Sequence, residues 1–157
     1  MGKGITLAEE GHVMQILTPA DLGATPTRTS LYINMENYSH CDIILNVGVS
    51  AGAATAILYE SDDGSGSNVA AIACAVYKEE TTSGDTLGAR TAVTVAGFTI
   101  AATAGIFYVI SIDSDQLSAG YPYINLRLSD LDSTTVTCAT AILTGARYGS
   151  DQSPTAQ

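Results

Sequence analysis

The sequence predicts an all-β fold: an antiparallel β-sandwich or jelly roll, built as a single domain with an extended N-terminal arm and a polar C-terminal tail. Three observations predict it. Apolar residues recur with period two, most clearly over residues 123–128, where Ile124, Leu126 and Leu128 share one face and Tyr123, Asn125 and Arg127 the other. Such alternation marks a half-buried strand. The runs are rich in Thr, Ile, Val and Tyr, which suit a pleated surface. Gly, Ser, Asp and Asn punctuate them in "ESDDGSGSN", "TTSGDTLGA", "VAGF", "DSDQLSAGYP" and "SDLDSTT", as turns between sandwich strands require.

Taken in order, residues 1–30 hold one short apolar piece (13–17) and then "TPADLGATPTRTS", which predicts an arm and loop. Residues 31–148 form the predicted sandwich. Its first strand spans 31–36, where Leu31, Ile33 and Met35 alternate with Tyr32, Asn34 and Glu36. The next spans 41–47, with Cys41, Ile43, Leu45 and Val47 on one face. The following stretch, 51–59, is Ala-rich and has helical propensity, but the alternation of Thr55, Ile57 and Tyr59 favours a strand over 55–60. Further strands are predicted over 72–79, 91–95, 98–101, 106–113 and 135–144, with a single helical turn over 115–119. Residues 149–157 are a polar tail. Arm and tail both fray unless a neighbour holds them.

Composition excludes several classes of function. The 157 residues suffice for one domain with a real core, burying about 68–70% of the unfolded surface. With 46% hydrophobic and 14% charged residues, the chain lacks the signature of disorder. No apolar run is long enough to predict a transmembrane helix, and no signal peptide pattern opens the chain. The net charge of −10 repels phosphate backbones and anionic membranes, so neither a nucleic acid nor a membrane is expected as partner. Cys41, Cys74 and Cys138 are odd in number and widely spaced. They read as small buried hydrophobes in a reducing cytoplasm, not as a disulfide framework or metal site.

Gly48-Val49-Ser50-Ala51-Gly52 spells the G-x-S-x-G of a nucleophile elbow, which needs a helix after the serine, then an acid and a histidine. The only histidines, His12 and His40, precede Ser50, and a strand follows it. The pentapeptide therefore reads as a tight turn, with Gly48 or Gly52 able to take positive φ. The acidic loop holding Glu60, Asp62, Asp63 and Asn68 does not meet EF-hand spacing, and neither does the turn with Asp130 and Asp132. His40 and Cys41 are adjacent, so on a strand they face opposite ways and build no local site. No catalytic residue, metal ligand or cofactor site is predicted. The eight Tyr, several opposite the apolar stripe, suit either an ordinary strand surface or an interface.

The chain resembles a family of small virion proteins of tailed bacteriophages. The resemblance runs through "MGKGITLAEEGHVMQILTP", "YINMENYSHCDIILNVG", "YKEETTSGDTLGART" and "GYPYINLRLSDLDSTTVTCATAILTGARYGSDQS". Its most specific pieces are "EETTSGDTLGAR" and "ILTGARYGSDQ". It implies a structural protein of the head, of the decoration or cement type, made in the host cytoplasm and carried on the capsid surface. The implied partners are the major capsid protein and further copies of the chain, as a homotrimer. The arm residues Ile5, Leu7, Val13, Ile16 and Leu17, with Arg147 and Tyr148 near the other end, are the expected partner contacts. A tail or neck component, or a carbohydrate-binding sandwich on the virion surface, is the alternative; the absence of Trp disfavours the latter.

Overall fold

The computed structural model describes residues 7, 11–21, 27–79, 87–102, 104–129, 131 and 134–147. Among them lie twelve strands: β1 (His12–Asp21), β2 (Arg28–Thr29), β3 (Ile33–Asn34), β4 (Tyr38–Val49), β5 (Ala54–Ser61), β6 (Val69–Ala71), β7 (Cys74–Glu79), β8 (Leu87–Val93), β9 (Phe98–Ile100), β10 (Ile106–Asp113), β11 (Tyr123–Ser129) and β12 (Val136–Ala146). One 3-10 turn, Ser114–Gln116, follows β10. No helix among the described residues is long and apolar enough to cross a membrane.

The strands form two antiparallel sheets, the all-β sandwich that the alternation predicts. Sheet A has the order β1-β12-β4-β10-β7-β8. Sheet B is centred on the β5–β11 pair; β6 and β9 lie end to end along the free side of β5, and β2 and β3 along that of β11. Period two decides what goes inside. Cys41, Ile43, Leu45, Ile110, Ile112, Ala141 and Leu143 from sheet A meet Ile33, Ala56, Leu58, Ile100, Ile124, Leu126 and Leu128 from sheet B, all buried. Removing these side chains from water is the main force holding the two sheets together.

Two devices join the sheets. The "GVSAG" turn carries the chain from the middle of sheet A (β4) to the middle of sheet B (β5) in a few residues. At one side, Arg28 reaches across from β2. Its guanidinium donates to the Thr137 carbonyl at 2.6 Å, the Thr137 hydroxyl at 3.2 Å and the Thr18 carbonyl at 2.7 Å. The Leu31 amide donates to the Ile16 carbonyl beside it. Between β2 and β3, Ser30 continues the ladder: its amide donates to the Leu126 carbonyl, and its hydroxyl accepts from the Leu126 amide. Segment 28–31 thus occupies part of the outer edge of β1.

The structure departs from the sequence expectations at several places: β2 and β6 form within expected loops, the strand expected over 72–79 begins at Cys74, the helical turn expected over 115–119 lies at Ser114–Gln116, and three further differences have a clear physical cause. Residues 12–21, expected within an arm, form a strand of sheet A. Two register shifts, at Gln15/Leu17 and Leu17/Ala20, bring both Ile16 and Leu17 inward, which erases the period-two signal. The strand expected over 31–36 shrinks to two residues, because the Met35 amide turns to the Pro122 carbonyl and a turn follows at 36–37. The strand expected over 91–95 lies at Leu87–Val93, since 94–97 make the turn into β9. There Gly97 has φ of +79°, and a side chain would strike the Ala56 carbonyl.

Candidate interaction surface

The residues with chemical potential are engaged locally. Ser50 is buried, and its hydroxyl donates to the Gly52 carbonyl at 2.7 Å, closing the turn. In the acidic loop, Asp63 accepts from the amides of Ser65, Gly66 and Ser67. Bonds from Ser67 above all, then Ser65, hold its carboxyl below the usual range. Asp62 accepts from the Asn68 amide group. Glu60 is buried and binds Ser118 through both oxygens, at 2.6 and 2.8 Å, anchoring the loop after the 3-10 turn. Among the described residues, no three His, Cys, Asp or Glu are grouped to hold a metal ion. All three cysteines are free thiols. Burial first, and Asp42 second, push the Cys41 thiol up; burial pushes Cys74 up to about 11, so neither is poised as a nucleophile.

One cluster was not visible in the sequence. His40 and Asp42 lie two apart on β4 and so share the outer face of sheet A, where β10 brings Asp113 opposite His40 and Ser111 opposite Asp42. The His40 Nδ1 is 2.6 Å from Asp113, its Nε2 is 3.2 Å from Asp42, and the Ser111 hydroxyl donates to Asp42. Partial burial lowers the imidazole pKa, but the combined pull of Asp113 and Asp42 overrides it, so the net shift is upward from 6.5. Ser111 touches Asp42 and not the imidazole, which is not the order of a nucleophile–base pair.

The two outer faces of the sandwich differ in kind. On sheet B, Tyr59 lies under the Arg127 guanidinium, 4.5 Å from its ring centre. Loop 62–68 folds back so that Gly66 (φ +76°) sits against Tyr32, where any side chain would overlap the phenol oxygen. Under this cover Ser61 and Asn125 are fully buried, although alternation places them on the outward side. Among the described residues, the Asn125 side-chain amide has no hydrogen-bond partner at either atom. Of the other tyrosines, Tyr38 and Tyr108 are core residues, at 1% and 3% exposure.

On sheet A the outward positions carry a diagonal apolar stripe. Register pairs Val13 with Ile142, Ile44 with Val109 and Phe107 with Asn46. Val13 is half exposed, and Ile44, Phe107, Val109 and Ile142 are partly exposed. Gln15, Asn46, Cys138 and Thr140 fill positions between them, and the nearest acidic residues on the face are Asp42, paired with Ile142, and Glu79, paired in register with Phe107. A sheet with one solvated face normally alternates apolar-in with polar-out; a contiguous apolar stripe outside marks a surface that something else covers.

The expected contact residues are scattered across the molecule. Val13 lies on the sheet A stripe, and Leu7 is exposed. Ile16 and Leu17, at 3% and 5% exposure, belong to the chain's own core, which leaves them nothing to offer a partner. Arg147 is exposed; it donates to the Ser114 hydroxyl and, through its amide, to the Asn37 carbonyl. It edges a cavity of about 340 Å³ with Met35, Glu36, Leu117 and Tyr121. Ile5 and Tyr148 lie outside the described residues. Sequence reasoning missed Ile44, Phe107, Val109 and Ile142. Their signal was present as apolar residues on both sides of one strand, Ile43 with Ile44 and Val109 with Ile110.

The chain matches no family model and no curated protein. Among solved structures, it is similar to the SPBc2 prophage-derived protein YomS at 10% identity and a TM-score of 0.46, over 87% of this chain and 94% of that one. It is also similar to a chain of infectious bursal disease virus, Gt strain, at 12% identity and a TM-score of 0.24, over 85% of this chain and 39% of that one.

Proposed function

We propose that the chain is a structural component of a tailed-phage virion, a decoration or cement protein that binds the major capsid lattice as an oligomer. The observation that carries this reading is the contiguous apolar stripe across the outer face of sheet A. It is a surface for a protein partner, on a sandwich whose reactive side chains are engaged in holding its own turns. The sequence resemblance, centred on "EETTSGDTLGAR" and "ILTGARYGSDQ", supplies the particle. A lattice offers many equivalent sites, and linked copies bind them with high effective concentration, so individually modest contacts suffice.

The test is to locate and count the chain in the intact particle. Copies in the hundreds on the shell support decoration; about six or twelve at one vertex, as ring symmetry there would require, support the neck or tail instead. Absence from the particle refutes both.

A further inference from the structure

We infer that the stripe on sheet A is covered by a second copy of this chain, related by a two-fold axis through Ile44. The inference rests on the reading of the chain as an assembly protein and names the partner for that face.

The argument starts from charge. Copies of a chain with net charge −10 repel each other wherever acidic side chains meet, so close approach favours a face that is largely apolar and carries a cation where the partner has a carboxylate. On the outer face of sheet A the apolar residues Val13, Ile142, Ile44, Val109 and Phe107 lie together, with Asp42 beside Ile142, Glu79 beside Phe107 and Asp113 at the end of β10. At the β8 edge stands Arg90, which pairs with Tyr77 and so, through β7, shares the row of Val109 and Ile44. Arg90 is exposed and makes no ion pair among the described residues.

Register then fixes the geometry. Strands lie about 4.8 Å apart, and same-face residues along a strand lie about 6.8 Å apart. On that grid Arg90 is two strands and two same-face rows from Asp113. The in-plane two-fold axis that sets Arg90 of one copy over Asp113 of the other runs through Ile44. It places Ile44 on Ile44, and it places Ile142 of each copy on Phe107 of the other. One operation thus pairs the cation with a carboxylate and the large apolar residues with each other, as an isologous contact requires. Strands of the two copies then cross at roughly 70°, nearer the orthogonal than the aligned class of sheet packing. Six strands by about 20 Å give a footprint of about 500 Å² per copy, toward the small end of specific interfaces, so a Kd in the micromolar range is expected.

The experiment is sedimentation of the full chain at concentrations up to about 100 µM, where a micromolar Kd saturates. The wild type is expected to be a dimer. Ile44→Lys sets two ammonium groups against each other on the axis and raises Kd by more than about 100-fold; Arg90→Glu raises it by about 10-fold or more. Both should keep the wild-type Tm at concentrations well below the wild-type Kd, where every form is monomeric. The charge swap Arg90→Glu with Asp113→Arg restores the dimer, which also keeps the inference testable if Ile44→Lys disturbs folding. A wild-type monomer, a trimer (the stoichiometry the resemblance implies, which needs two different patches), or a dimer indifferent to all these changes overturns it. A monomer that still decorates capsids refutes this inference and leaves the proposed function standing. A dimer absent from the particle does the reverse.

Discussion

The outer faces of the two sheets answer the same physical problem in opposite ways. Each sheet has one side in the core and must do something with the other. Sheet B covers its outer side from within: loop 62–68, Tyr32 and Arg127 lie over it, closely enough to bury Ser61 and Asn125. Sheet A leaves its outer side open and apolar, with a polar cluster of His40, Asp42 and Asp113 at one end. The self-covered face contributes to stability, and the open face is available to a partner. Sequence changes on the two faces should therefore register in different measurements.

The largest expected effect tests whether the two faces belong to one cooperative body. Arg28→Ala removes the bonds from sheet B to Thr137 and Thr18 of sheet A, and should cost about 2–3 kcal/mol in urea denaturation. Arg28→Lys, a point charge in place of a fork, should recover less than half of that. A negligible loss would mean that the sheets are held by the core alone. Next, Gly66→Ala forces a side chain into a left-handed backbone and against Tyr32, costing about 1–2 kcal/mol. Adding Tyr32→Ala should relieve the overlap while leaving the backbone cost. If the single change has no effect, loop 62–68 is not the cover of sheet B.

A smaller effect has the opposite sign. Asn125→Leu replaces a buried amide without partners and should stabilise the protein by about 1 kcal/mol, whereas Asn46→Leu on the open face should change Tm little and favour association. A loss at position 125 would point to a bound water satisfying the amide. The smallest effect concerns pH. The folded protein raises the His40 pKa above 6.5, so it favours the protonated imidazole. The stabilisation from this group is complete below pH 6.5 and fades as pH rises through the raised value. In a pH series of Tm, His40→Gln should flatten that decline, and only slightly, because the cluster is well exposed.

What could be read from the sequence follows the same division. The strand over 106–113 is found with the boundaries that alternation gives, and the paired cores of β4 and β11 follow from Ile43, Leu45, Ile124 and Leu126. Alternation is a local property, and it fails where a distant segment or a bulge intervenes. Asn125 reads as an outward polar residue because nothing in its own strand announces loop 62–68, some sixty residues earlier. Ile16 and Leu17 read as an arm because two bulges set adjacent residues to the same side. The His40 cluster needs β10 beside β4. The open face needs the knowledge that Ile44 and Val109, each beside an inward isoleucine, end up as neighbours on one uncovered side.

The pairing of β1 with β12 also sets a schedule. His12 finds its register opposite Leu143, so β1 cannot take its place in the sheet until β12 has been made. At ordinary rates of synthesis the wait is roughly 6–25 s, during which Met14, Ile16 and Leu17 have no sheet to enter. A chaperone or the forming sandwich must shelter them meanwhile. Sheet A, and with it the stripe on its outer face, is complete only once β12 has joined β1 and β4. Val13 and Ile142, which come from those two strands, become neighbours on the outer face only at that step.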